Sequence, residues 1–187
     1  MSLSPKKDIY TYEEWMELDN NEDTELIDGV VYMRYETKGG ARAGASRRHQ
    51  KVSRKLTQII SNFLEDKSCE LYYDLMVKLS SHTVVRPDIA VICDPEKLDD
   101  QGCNGAPDLI IEILSHSNAG NDLWLKYNKY LIAGVREYWI VDPIKNEVTV
   151  YVLENGKYRG AWYSEKNTIS VTVLPGCKID LSAIFLK

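Results

Sequence analysis

Cysteine is scarce and spread out. Cys69, Cys93, Cys103 and Cys177 form no CxxC pair and have no companion histidine cluster, which excludes a zinc knuckle and leaves them reading as reduced thiols rather than a disulfide framework. Long apolar runs are lacking as well. Residues 1–7 are followed by no apolar stretch, and no run approaches the length of a membrane span, so no membrane partner and a cytoplasmic protein are expected. There is no surplus of positive charge: 28 acidic against 23 basic residues give a net charge of -5. That argues against a wholly electrostatic nucleic-acid coat and leaves room only for a local basic patch. No internal repeat or low-complexity linker breaks the 187 residues, and 44% hydrophobic with 27% charged content is ordinary for a globular protein. A single domain over 1–187 is expected, with its core at about 46–143.

Hydrophobic periodicity orders the elements. Thr11-Tyr12-Glu13-Glu14-Trp15-Met16 opens with a helix cap and early acids, so a short helix should fade by Asn20. Asp28-Gly29 between Glu25-Leu26-Ile27 and Val30-Val31-Tyr32-Met33 signals a two-residue β-hairpin; helix and hairpin together occupy 9–35. The glycine-rich stretch 37–46 reads as a mobile loop. From Arg47, the residues Val52, Leu56, Ile59, Ile60 and Phe63 recur at helical spacing. Strand-like runs follow at 70–79, 84–93 and 108–114, the last two apolar on both faces as central strands are. A second helix at 121–133 stops at Gly134, and a strand at 136–142 ends at Pro143. Asn155-Gly156 marks a hairpin in a C-terminal extension over 144–187, with one more strand near 170–174. The order is helix, three strands, helix, strand, with β-hairpins at both ends.

Two acids stand out because they interrupt apolar strands: Asp88 in Val84-Val85-Arg86-Pro87-Asp88-Ile89-Ala90-Val91-Ile92, and Glu112 in Leu109-Ile110-Ile111-Glu112-Ile113-Leu114. A buried carboxylate must be paired, hydrogen-bonded or bound to a cation. Either acid alone is ordinarily satisfied by an arginine or by backbone N–H groups. Two in consecutive central strands lie within roughly 5 Å and could share one hard divalent ion such as magnesium.

Asp122, Lys126 and Tyr130 fall at i, i+4 and i+8, a line beside the apolar stripe of the second helix, so Lys126 can lean toward the sheet. An ammonium there would stabilise charge on a phosphoryl group under attack; the plainer alternative is a surface pair between Asp122 and Lys126. Residues 37–64 carry seven basic side chains (Lys38, Arg42, Arg47, Arg48, Lys51, Arg54 and Lys55) and no acid. That local inversion suits phosphate contacts that position a duplex, or else a solvated helix face. His49 shares a face with Val52 and Leu56 and points inward, as a hydrogen-bonded core residue or as a ligand or base. Glu25 could be a third carboxylate, although an acid on an edge strand is usually solvated. Ser115 has no glycine elbow around it, and His116 sits in a turn where exposure is the simpler expectation.

Glu25-Leu26-Ile27-Asp28-Gly29, Arg48-His49-Gln50, Arg86-Pro87-Asp88-Ile89, Pro107-Asp108-Leu109-Ile110-Ile111-Glu112-Ile113-Leu114-Ser115 and Gly134-Val135-Arg136-Glu137-Tyr138-Trp139-Ile140-Val141-Asp142-Pro143 together resemble the Uma-two family of restriction-type endonucleases, within the PD-(D/E)XK superfamily. The resemblance implies an α/β fold with a restriction-endonuclease-like core, α-β-β-β-α-β, whose mixed central sheet is flanked by helices. It implies Asp88 and Glu112 as ligands of Mg2+, with Mn2+ as a substitute. Leu114 stands where the superfamily lysine is expected; Lys126 is the matching replacement and Lys129 the fallback. The implied catalytic set is Asp88, Glu112, Lys126 and Glu25, with Arg42, Arg47, Arg48, His49 and Lys51 on nucleic acid. The implied reaction is metal-dependent hydrolysis of phosphodiester bonds in DNA. Apart from the resemblance, the appended hairpins could support a homodimer, since two sites can cut two strands. RNA or a small phosphoester is the other substrate left open, and a non-catalytic nucleic-acid-binding or scaffold module is the alternative function.

Overall fold

The computed structural model describes residues 9–34, 37–38, 41–42, 46–115 and 121–185. Helix α1 (Tyr12–Met16) starts in a capping box, in which the Thr11 side chain accepts from the Glu14 N–H and the Glu14 carboxylate accepts from the Thr11 N–H. β1 (Thr24–Ile27) and β2 (Val30–Met33) form the antiparallel hairpin, with Asp28 and Gly29 at φ 52° and 79°; both central positions are left-handed, which this dipeptide tolerates. β3 (Thr37–Lys38) and β4 (Ala41–Arg42) pair within the glycine-rich stretch, of which residues 39–40 and 43–45 lie outside the described ones. α2 (Arg47–Leu64) is capped by Ser46, whose hydroxyl accepts from the His49 N–H, and it buries Val52, Leu56, Ile60 and Leu64.

Six strands follow α2: β5 (Glu70–Tyr72), β6 (Val77–Ser80), β7 (Thr83–Val85), β8 (Ile89–Ile92), β9 (Cys103–Asn104) and β10 (Leu109–Ile113). After α3 (Asn121–Ala133) come β11 (Glu137–Asp142), β12 (Glu147–Glu154), β13 (Lys157–Ser164), β14 (Thr168–Ser170) and β15 (Lys178–Asp180). The larger sheet has the order β13-β12-β11-β10-β8-β5 and the second β2-β1-β7-β6-β9. In the larger sheet β10 runs parallel to β11, and α3 lies between them in the chain, while β8 is antiparallel to β10 and to β5. The series α2, β5, β8, β10, α3, β11 is an α-β-β-β-α-β core in a mixed sheet.

The expected strands at 70–79 and 84–93 each divide in two. After β5 the chain bends at Asp74, φ 54°, and β6 and β7 leave for the second sheet, where β7 pairs with β1. Pro87, which has no N–H for a ladder, separates β7 from β8. The strand expected near 170–174 ends at Ser170; beyond it Val171 donates to the Cys177 carbonyl and the chain turns through Gly176, φ 91°. Reading all four cysteines as reduced thiols was wrong for two of them. Cys69 and Cys93 are joined by a disulfide, because the antiparallel register that pairs Glu70 with Ile92 brings their outer neighbours Cys69 and Cys93 opposite each other; Cys103 and Cys177 are free and buried.

The larger sheet is covered on both faces. Ile89, Val91, Leu109, Ile111, Ile113 and Trp139 pack against the apolar line of α2 and against a C-terminal group from Ile169 to Phe185. Ala90, Ile92, Ile110 and Tyr138 point the other way, toward Tyr130 of α3 and toward Ile27, Val77 and Val85 of the second sheet. Alternation along β10 places Glu112 on this second face, between α3 and β1.

Candidate active site

Five polar side chains meet where β10 ends. Extending the β8–β10 pairing by one residue beyond Ile111–Ile89 sets Asp88 opposite Glu112. Lys126 of α3, 6% exposed, places its Nζ 2.9 Å from Glu25 Oε1 and 3.1 Å from Glu112 Oε1. Tyr130, one turn on, donates its hydroxyl to the same Glu112 oxygen at 2.7 Å. The i, i+4 spacing stacks the two donors on one helix face. Glu25 reaches the group from the second sheet and also accepts the Arg86 N–H at 2.7 Å. Its strand lies between β2 and β7, so the acid is internal and 4% exposed, not solvated at an edge.

Asp88 is fixed from two sides, by the Ile113 N–H on Oδ2 at 2.7 Å and by His49 Nε2, 3.1 Å from Oδ1. Burial lowers the His49 pKa, but the bond to Asp88, the charges of Asp88 and Glu112, and a bond to the Ile113 backbone outweigh it, so the net shift is upward. Glu112 is raised to about 7: burial is the first cause and the charges of Asp88 and Glu25 add to it, while Lys126 and the Tyr130 bond pull it down. Tyr130 is held well above its ordinary value by burial and then by the charge of Glu112. Shifts of this size mark carboxylates crowded in a dry pocket.

The donor chemistry suits a hard cation. Asp88 and Glu112 offer carboxylate oxygens, the ligands a hard divalent cation prefers. Among the described residues no group of three His, Cys, Asp or Glu side chains is arranged to hold a metal ion by itself. The protein's share would therefore be two carboxylates, a number magnesium accepts because it retains water or substrate phosphate oxygens.

Asp88, Glu112, Lys126, Glu25 and His49 are thus brought together. Arg47 and Arg48 are exposed and Lys51 half-buried on the first turns of α2. The side chains of Arg42 and Asp122, and all of His116, lie outside the described residues. Lys129 is engaged elsewhere, 2.6 Å from Asp28 at the hairpin turn. Tyr130 was placed on the helix line by its spacing but was not singled out as a site residue. The backbone N–H of Arg86 and of Ile113, which fix Glu25 and Asp88, carry no signal in the sequence.

An α-β-β-β-α-β core with acids on two adjacent strands and a buried lysine on the following helix defines a restriction-endonuclease-like nuclease fold. The chain belongs to the Uma2 family, described as "Putative restriction endonuclease", which it matches over residues 9–182. It is 27% identical over 150 residues to the uncharacterized protein slr1290 of Synechocystis, covering 79% of this chain and 74% of that one. A second Synechocystis protein, the uncharacterized sll1609, is 30% identical over 114 residues, 58% of this chain and 64% of that one. The fold matches the crystal structure of a "putative nuclease belonging to DUF820" from Anabaena variabilis with a TM-score of 0.75, at 19% identity over 94% of this chain and 97% of that one. No helix among the described residues is long and apolar enough to cross a membrane.

Proposed function

We propose that this protein is a metal-dependent endonuclease that hydrolyses phosphodiester bonds in DNA. The observation that carries this reading is Lys126, delivered by α3 to the carboxylate opposite Asp88 although the strand position two residues after Glu112 is Leu114. Asp88 and Glu112 would hold Mg2+, or Mn2+ in its place. The ion would supply an acidified bound water and offset charge on the phosphate. Lys126 faces the same point with a full positive charge that can stabilise the phosphoryl oxygens, Glu25 holds the Lys126 ammonium in position, and His49 orients Asp88. The enzyme would act as a homodimer, paired through the β13 edge.

The test is nicking of supercoiled plasmid with magnesium or manganese. Asp88→Ala and Glu112→Ala should each cut at least about a hundredfold more slowly, with unchanged circular dichroism. Undiminished cutting by both would remove the site.

A second reading rests on a specific observation: Lys126 already satisfies two carboxylates, and Asp88 already has two donors. Such a closed network also serves a non-catalytic nucleic-acid-binding module. It predicts no cleavage of DNA or RNA with any metal, and binding that weakens with salt and in Arg47→Glu or Lys51→Glu.

A further inference from the structure

We infer that Arg86 is a phosphate clamp beside the acid pair, holding a backbone phosphate of the nucleic acid next to the one at Asp88 and Glu112. The inference rests on the nucleic-acid substrate proposed above and adds a residue to it. Arg86 is tied into the site through its own backbone, whose N–H binds Glu25, and it lies two residues before Asp88. Among the described residues no carboxylate is paired with its guanidinium. Its Nη1 donates to the backbone carbonyl of Asp74 at 3.3 Å, an uncharged and long contact. Its Nε is buried and has no hydrogen-bond partner among the described residues. A cation with a buried, unmatched donor is an arrangement that folded proteins avoid unless something else completes it.

Asp88 falls opposite Glu112 when the β8–β10 pairing is carried one residue on, and Arg86 lies two residues before Asp88. The Nη1 contact anchors its guanidinium at Asp74, where the chain bends away after β5 ends at Tyr72. The Asp74 carboxylate does not cancel it, because that carboxylate is paired with Arg34. That bend is open to solvent, Tyr73 being 73% exposed and the Asp74 side chain 52%, so an extended polyanion can reach it. A guanidinium presents parallel donors that match two phosphate oxygens, which an ammonium cannot do.

The experiment measures binding of a fluorescent 20-base-pair duplex in EDTA across a salt series, so that cleavage plays no part. Arg86→Met should lower the slope of log affinity against log salt by about one and weaken binding about tenfold at low salt. Arg86→Lys should keep the slope and lose a smaller factor, because it retains the charge without the fork. A purely structural arginine would leave the slope of a folded variant unmoved. As a readout independent of variant folding, the wild-type Arg86 Nε–H resonance should shift on adding the duplex. An unshifted resonance, or an Arg86→Met slope equal to wild type, overturns the clamp. If wild type cuts plasmid while Arg86→Met binds unchanged, the clamp fails and the nuclease stands. If wild type never cuts but loses one unit of slope on Arg86→Met, the clamp stands and the nuclease fails.

Discussion

Lys126 joins two buried carboxylates that would otherwise repel each other, so its removal should be costly. Lys126→Met leaves Glu25 and Glu112 facing one another without a cation, and breaking a buried pair in this way typically costs about 3–5 kcal/mol. The loss should depend on pH. Glu112 titrates near 7 in the folded chain, above the ordinary glutamate value, with burial as the first cause. The unfolded chain therefore releases that proton first, and the metal-free protein loses stability as pH rises from the ordinary glutamate range through about 7. Without Lys126 only the Tyr130 bond pulls Glu112 down, so the decline should steepen and extend upward. Urea unfolding in EDTA at pH 5 and pH 8 should show a larger deficit of Lys126→Met relative to wild type at pH 8. An equal deficit at both values would mean that the lysine acts by packing alone.

At the scale of elements, the join between β5 and β8 carries a separate prediction. The Cys69–Cys93 disulfide spans 24 positions, and closing a loop of that length in the unfolded chain is worth about 3 kcal/mol in the chain-entropy account. Cys93→Ser should lower stability by that order, as should a reducing agent. Cys69 and Cys93 of the native protein should resist alkylation until reduced. Equal denaturation midpoints with and without reductant would refute this.

Elements also show what a sequence can reveal. Local signals held: Asp28-Gly29 and Asn155-Gly156 adopt positive φ at both hairpin turns, and Val52, Leu56 and Ile60 are the buried line of α2. What pairing decides was not visible. Alternation cannot say which sheet a strand joins, so β6 and β7 read as continuations of β5 and β8. Nor did spacing reveal that the β5–β8 register brings Cys69 to Cys93. Asp88 and Glu112 stood out because they interrupt apolar runs, whereas Glu25 looked like an edge acid until β7 was seen beside β1. The helical spacing of Lys126 and Tyr130 was legible, but their convergence on one Glu112 oxygen depended on how α3 packs.

At the scale of the whole molecule, the larger sheet ends in β13, an eight-residue strand without bulges against β12. Every residue of it is exposed or half-buried, and Trp162 is 60% exposed. An open edge of this length is a template for another strand. Antiparallel pairing with a second copy about a two-fold axis at Gly160 would set Tyr158 opposite the partner's Trp162, a favourable cross-strand aromatic pair, with no like charges opposed. The axis would join the sheets edge to edge with both Glu112 side chains on one face. Three strands separate β10 from the edge in each copy, so the acid pairs would stand about seven inter-strand spacings apart, roughly 34 Å, close to one turn of B-form DNA. Sedimentation of wild type at about 50 µM, well above a micromolar Kd, should therefore report a dimer, and Trp162→Glu a folded monomer. A wild type that sediments as a monomer at that concentration removes the dimer and leaves each acid pair to cut one strand at a time.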